Sequence, residues 1–197
     1  MAARCRRQLH LALDSFWSGS EDKTADVQTS DRSIDRDEKT VDALLLRILA
    51  LRQPVASDLR WLTASFRLVT HLERIGDEAV DLARATVSRA SDGGPAGQTL
   101  ERMTVAAETM LGNALELILP ATPYAAAEVR SAAPSVDALY YDVLQEASAF
   151  LSQHASDAAA ALSVVTAAKS LERVADHAAN IAGGTLFVLG IEDGLPR

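Results

Sequence analysis

Cysteine is almost missing from this chain: Cys5 is the only one in 197 residues. That excludes an intramolecular disulfide and suits a reducing compartment. Aromatic residues make up only 5% and glycines number ten. Alanine is abundant in their place, and it loses no side-chain entropy in a helix, so the composition points to an all-α chain. No stretch approaches the roughly 18 uninterrupted apolar residues that a membrane span needs. Near the start, Leu9-His10-Leu11-Ala12-Leu13 is too short for a signal-peptide core and stops at Asp14. Basic residues cluster only at Arg4, Arg6 and Arg7, and the formal charge is −8. Nucleic acid is therefore not expected as a partner, because no basic stripe with interleaved aromatics is present. Strong adhesion to anionic lipid is not favoured either, so membrane contact is expected only through partners or a weak surface contact. No Ser-His-Asp or Cys-His set is credible, and no glycine-rich phosphate loop follows a strand, so catalysis is not expected.

What is present is a repeat. Leu72-Glu73-Arg74-Ile75-Gly76-Asp77 returns as Leu171-Glu172-Arg173-Val174-Ala175-Asp176, 99 residues later. Apolar residues make up 48%, enough to bury a core in one large domain or two small halves. The segment Ser91-Asp92-Gly93-Gly94-Pro95-Ala96-Gly97 reads as a linker near the midpoint. The expected domains are residues 1–92 and 98–190, each an antiparallel three-helix bundle, in tandem.

The first helix is expected from about Ala3 to Trp17, ended by Gly19, with Ser20, Glu21 and Asp22 opening the second. The second runs to about Arg52 through Ile34, Val41, Leu44, Leu45, Ile48 and Leu51, an apolar set at helical spacing. Pro54 is placed as the first residue of the third helix, which runs to about Ser88. A fourth helix follows from Gln98 to Leu119. A fifth starts with Thr122 as cap and Pro123 at the first position, and Pro134 is expected to kink it. The sixth runs from about Ala155 to near Gly190. The repeat aligns Leu13 with Leu115 and Val27 with Val129, so the fourth helix starts further upstream than the first. Either the first helix is short or the start of the chain is truncated.

Glu73 and Asp77 are four apart and share a helix face, which Asp81 extends by a turn. Like charges at that spacing repel, and a cation would relieve them. Asp31 and Asp35 repeat the spacing on the preceding helix. In an antiparallel hairpin, facing residues are equidistant from the turn. Asp35 and Glu73 each lie 19 residues from Pro54, and Asp31 and Asp77 each lie 23. Four carboxylates are thereby brought to two adjacent levels. In the second half Asp137 falls opposite Glu172, but the position opposite Asp176 is Ala133, and Asn180 stands where the first half has Asp81. The first site is therefore expected to be the fuller one. Clustered oxygens suit magnesium, calcium, manganese or iron, and the lack of nearby cysteine argues against thiolate zinc. The plainer reading is that these acids pair with Arg32, Arg74, Arg84 and Arg173 or form solvated faces. His71, His154 and His177 are read as surface or interface residues, and Trp17 and Trp61 as packing residues. Asp58 and Arg60 are read as a local pair at a helix start or as a partner contact.

With these residues in hand, the chain resembles the PhoU family of phosphate-uptake regulators. The resemblance rests on Asp31-x-x-Ile34-Asp35, Gln53-Pro54-Val55-Ala56-x-Asp58-Leu59-Arg60, the Leu72–Val80 motif, Val136-Asp137-x-Leu139-Tyr140, the Leu171–Ala182 motif and the tail Phe187-Val188-x-Gly190. It implies two three-helix bundles, often dimeric. It implies metal ions (iron, manganese, magnesium or zinc) at Asp31, Asp35, Glu73, Asp77, Asp81, Asp137, Glu172 and Asp176. It implies a cytoplasmic protein, peripheral to the inner membrane through partners, that links the ATPase subunit of a Pst-type transporter to a PhoR-type histidine kinase. Asp58, Arg60, Arg74 and Arg173 are the candidate partner contacts. Two other readings are a carboxylate-bridged metalloenzyme and a helical scaffold without metal. The first of these lacks the Glu-x-x-His pairs that such bundles use.

Overall fold

Capping chemistry sets where the helices begin and end. The computed structural model describes residues 1–85, 96–118 and 122–191. Among them are six α-helices and no strand: α1 Ala2–Ser18, α2 Glu21–Arg52, α3 Ala56–Arg84, α4 Gly97–Glu116, α5 Pro123–Gln153 and α6 Ala158–Val188, the last preceded by a 3-10 turn, Ala155–Asp157. Gly19 ends α1 in the left-handed region at φ 66°, where glycine carries no Cβ penalty. The Ser20 hydroxyl accepts from the Lys23 amide, and the Thr122 hydroxyl from the Ala125 amide, so both expected N-caps are in place. Pro123 lies in the first turn of α5, and α5 continues unbroken through Pro134.

Two expectations at the first hairpin need correction. Pro54 does not open α3; Val55 is the extended N-cap and Ala56 the first helical residue. Gln53 and Ala56 both take positive φ, 47° and 48°, because the chain reverses around Pro54 in very few residues. The expected linker at 91–97 lies outside the described residues apart from Ala96 and Gly97. The expected end of α3 near Ser88 and of α4 at Leu119 lie outside them too.

Helices α1, α2 and α3 pack on one another, α4, α5 and α6 do likewise, and α3 against α6 joins the two bundles. Helix α1 runs parallel to α3: the Cys5 thiol donates to the Leu72 carbonyl (3.5 Å) and Gln8 Nε2 to the Gly76 carbonyl (3.3 Å). Burial pushes the Cys5 thiol up to about 12, so it stays an unreactive packing group. The core carries the apolar positions of both repeats, Leu72, Ile75 and Ala79 with Leu171, Val174 and Ala178. Small residues on α6, Ala167, Ala168, Ala175 and Ala182, are fully buried or nearly so, as suits a helix with neighbours on three sides. Trp17 and Trp61 are not core residues; each is about two-fifths exposed, at 40% and 43%, and Trp17 meets the edge of Phe16.

Near the start of α1, Asp37 in the middle of α2 takes the Arg4 Nε (3.1 Å). In the second half the Thr99 hydroxyl at the start of α4 reaches Glu146 (2.7 Å), much nearer its hairpin turn.

The duplicated acidic faces as a candidate metal centre

The repeat motif has two working faces. One side of α3 turns to α2, and here the register read from Pro54 holds. Asp31 lies against the backbone of Gly76, where an added Cβ would come within 3.1 Å of its Oδ1. The Thr24 hydroxyl donates to the Ala83 carbonyl (3.3 Å) in the same register. The Asp31 carboxyl is raised above its usual range by burial, opposed by a hydrogen bond from Gln8 and reinforced by Asp35 and Asp77. The Glu73 carboxyl is raised by burial, then by Asp77, Glu38 and Asp35, against the pull of Arg74. Asp31, Asp35, Glu73 and Asp77 are therefore one electrostatic group, with Glu38 as a fifth acid. Asp81 stands apart, exposed, with Arg84 at 3.8 Å.

Gln8 is the residue the spacing argument misses. It is buried on α1, and its Nε2 donates to Asp31 Oδ1 (3.1 Å), the Val27 carbonyl (3.4 Å) and the Gly76 carbonyl (3.3 Å). Its Oε1 is buried without a hydrogen-bond partner. A signal was available: Gln8 interrupts the apolar stripe of Cys5, Leu9, Ala12 and Phe16, and a polar residue inside a core stripe calls for a partner.

The second site is built from the same positions with different contents. The Asp176 carboxyl is raised by loss of solvent around it, then by Glu172 and Asp137, while Lys169 opposes. Asp137 and Glu172 are thus near enough to act on Asp176 electrostatically, but Lys169 Nζ is 2.6 Å from Glu172 Oε2. By the repeat, Gln8, Asp31 and Gly76 correspond to Met110, Ala133 and Ala175. The three changes belong together. Where the acid and its amide partner are replaced by apolar groups, the helix position that had to be glycine can carry a methyl group.

The oxygen donors of the first site fit a hard cation: an unpaired buried amide oxygen beside carboxylates that repel one another. Among the described residues, no three His, Cys, Asp or Glu side chains converge closely enough, as placed, to hold one ion. An arginine takes part of that role. Arg74 reaches Glu73 through Nε and Asp77 through Nη1, each at 3.4 Å.

The other side of α3 meets α6, in an antiparallel crossing centred on the two motifs. Arg173 Nη1 crosses to Glu78 Oε1 of the first bundle at 3.0 Å, so it does not pair with the acids of its own motif. The equivalent of Glu78 in the repeat is His177. His177 Nδ1 lies 3.3 Å from His71 Nδ1. Burial holds the His177 ring down to about 4, helped by His71, Arg74 and Arg173; His71 is lowered by burial and Arg67. The histidines are interface residues. Arg32 has no ion pair among the described residues. Asp58 and Arg60 are exposed and do not pair with each other; two apart, they leave α3 on different sides.

A family model described as the PhoU domain matches residues 1–86 and 100–184. A phosphate-specific transport system accessory protein PhoU homolog from Pseudomonas putida is 29% identical over 191 residues, covering 96% of this chain and 75% of that protein. The homolog from Xylella fastidiosa (strain 9a5c) is 31% identical over 191 residues, 96% of this chain and 80% of that protein. The crystal structure of PhoU from Pseudomonas aeruginosa superimposes with a TM-score of 0.91 at 28% identity, covering 96% of this chain and 92% of that one. The phosphate transport system regulatory protein PhoU from Streptococcus pneumoniae gives 0.83 at 20% identity over 95% and 89%, a likeness of fold.

Proposed function

The chain belongs to the PhoU family, and from that premise we propose that it regulates phosphate uptake and the phosphate-starvation response. It acts as an adaptor, not an enzyme, between the ATPase subunit of a Pst-type transporter and a PhoR-type histidine kinase. The observation that carries this reading is the match along both halves to proteins named as accessory to the phosphate-specific transport system. Asp58 and Arg60, exposed and unpaired with each other, are its candidate partner contacts; Arg74 and Arg173 are engaged within the molecule. A strain lacking the protein, scored with a phosphate-regulated reporter, is the test. The expected result is constitutive expression in high phosphate, and normal repression would refute the role.

We further propose that the acidic faces bind metal ions, the first more tightly than the second. A bound cation would supply the positive charge that the clustered acids lack. The residues that would hold it are Asp31, Asp35, Glu73 and Asp77, with Gln8 Oε1 as an added oxygen donor; Asp137, Glu172 and Asp176 form the lesser set. The support is the raised carboxyls of Asp31 and Glu73 and the orphaned Gln8 oxygen. Metal analysis of the purified protein against a Glu73→Ala, Asp77→Ala variant decides it, and equal metal content in the two would remove the first site.

A further inference from the structure

Each acidic face already holds a side-chain cation, and the two cations come from different positions. In the first half it is the arginine of the motif. Arg74 stands between Glu73 and Asp77 with both contacts at 3.4 Å, and its side chain is 59% exposed. Charge-assisted hydrogen bonds between ordered groups are about 2.7–2.9 Å, so this hold is loose. In the second half the motif arginine is drawn away, because Arg173 crosses to Glu78. Lys169, about a turn earlier on α6, takes its place beside Glu172. The repeat puts Thr70 where the second half has Lys169, and Glu38 where it has Tyr140.

Lys169 is held on two sides. Its Nζ donates to Glu172 Oε2 at 2.6 Å, and that carboxylate is only 16% exposed. The same ammonium lies over the Tyr140 ring, 5.2 Å from its centroid, where the ring quadrupole attracts a cation. Its charge also reaches Asp176, where it opposes Glu172 and Asp137. The hydrogen bond to Glu172 raises the ammonium above its usual range, so it stays charged. In the first half the same two positions do the reverse. Thr70 brings no charge, and its hydroxyl turns to the Phe66 carbonyl. Glu38 adds an acid that acts on Glu73. An ammonium and a metal ion compete for the same carboxylate oxygens, and an ammonium on the same helix is always at hand.

We propose that Lys169, held between Glu172 and Tyr140, is a resident cation that occupies the second acidic face in place of a metal ion, whereas Arg74 is a loose occupant that an incoming ion displaces from the first. The unequal metal affinity of the two faces then has its cause in the cation at each, as well as in Ala133. The inference rests on the metal-binding reading above for the first face; for the second it depends on Lys169 alone. With the ammonium gone, Glu172 and Asp137, close enough to act on Asp176, leave a group of carboxylates suited to a hard ion that keeps some of its waters.

The probe is manganese alone, with the free ion counted by electron paramagnetic resonance against the full chain. A Glu73→Ala, Asp77→Ala background lets the second face be read by itself. There, Lys169→Thr, which copies Thr70, and Lys169→Met, which keeps the stem and drops the charge, should each tighten manganese binding about tenfold or more, the scale of one charge-assisted hydrogen bond. Lys169→Arg keeps the charge and should leave binding weak. Conversely, Thr70→Lys with Glu38→Tyr in the otherwise unchanged chain should weaken the first face about tenfold or more, and Arg74→Ala should tighten it by less than about fivefold. These side chains lie outside the core cluster, so circular dichroism should not change. Manganese should raise the melting transition of the Thr and Met variants and leave that of Lys169→Arg unmoved. No tightening in Lys169→Thr or Lys169→Met, or equal tightening in Lys169→Arg, overturns the inference whether or not the parent binds manganese. Equal binding by the parent and the Glu73→Ala, Asp77→Ala chain refutes the first metal site instead, and a gain in Lys169→Thr would still support the role of Lys169.

Discussion

Gly76 shows how one position carries the difference between the halves. Glycine inside a helix costs about 1 kcal/mol relative to alanine, yet here a Cβ would sit 3.1 Å from Asp31 Oδ1 and 3.3 Å from Gln8 Oε1. Gly76→Ala is therefore expected to destabilise by about 1 kcal/mol, because crowding of two hydrogen-bonded side chains exceeds the gain in propensity. Adding Asp31→Ala, which copies the second half, should recover most of it; urea unfolding of the two single variants and the double variant measures the coupling. Arg173 is the second case. Glu78 is buried, with 8% exposure, and Arg173 is its ion-pair partner. Arg173→Ala leaves that carboxylate desolvated and should cost about 1–3 kcal/mol in urea unfolding. Arg74→Ala, which removes two 3.4 Å contacts made by a side chain that is itself mostly exposed, should cost under about 1 kcal/mol. The sequence displays both motifs as the same Leu-Glu-Arg string. It does not say that one arginine stays at home and the other crosses, since that depends on which residue of the other half stands opposite.

At the scale of the element, α3 packed against α6 carries a pH dependence. His177 has a folded-state value of about 4 against its ordinary 6.5, so the unfolded chain takes up the proton first. Its contribution to stability is complete above about pH 6.5 and is lost as the pH falls toward 4. Asp31, Glu73 and Asp176 act in the opposite sense. Their raised values mean that the folded state holds their protons longer, so their contribution rises with acidification. The informative quantity is thus a difference: between pH 6.5 and 4, His177→Gln should lose less stability than the parent. The gap should be on the order of 1 kcal/mol, less than the full shift because the ring is only half buried. Helix existence and caps were legible along the chain, as Ser20 and Thr122 show, because a cap is a local hydrogen bond. The start of α3 was not. Proline is tolerated at a first helical position, but here the reversal uses Gln53 and Ala56 at positive φ, and the turn carries Pro54 outside the helix.

For the whole molecule, the two halves are expected to respond unequally to metal. Titration with manganese, followed by thermal melting, should raise the transition in the parent. Glu73→Ala with Asp77→Ala should remove more than half of that rise, while Glu172→Ala with Asp176→Ala should leave most of it, because Lys169 already neutralises Glu172. An equal loss in both double variants would mean that Ala133 and Met110 do not weaken the second site.

The sequence by itself determined the tandem plan, the helical class, the register of α2 on α3 and the shortage of acids in the second half. These follow from periodicity, equal distances from a turn and the identity of single residues, all local properties of the chain. Only the tertiary structure decided that Gln8 joins the acidic group and that Glu78 and His177 take non-equivalent partners across the centre. Each is a contact between segments far apart in the chain. Its geometry depends on how the helices settle against one another, and no spacing within one helix records it.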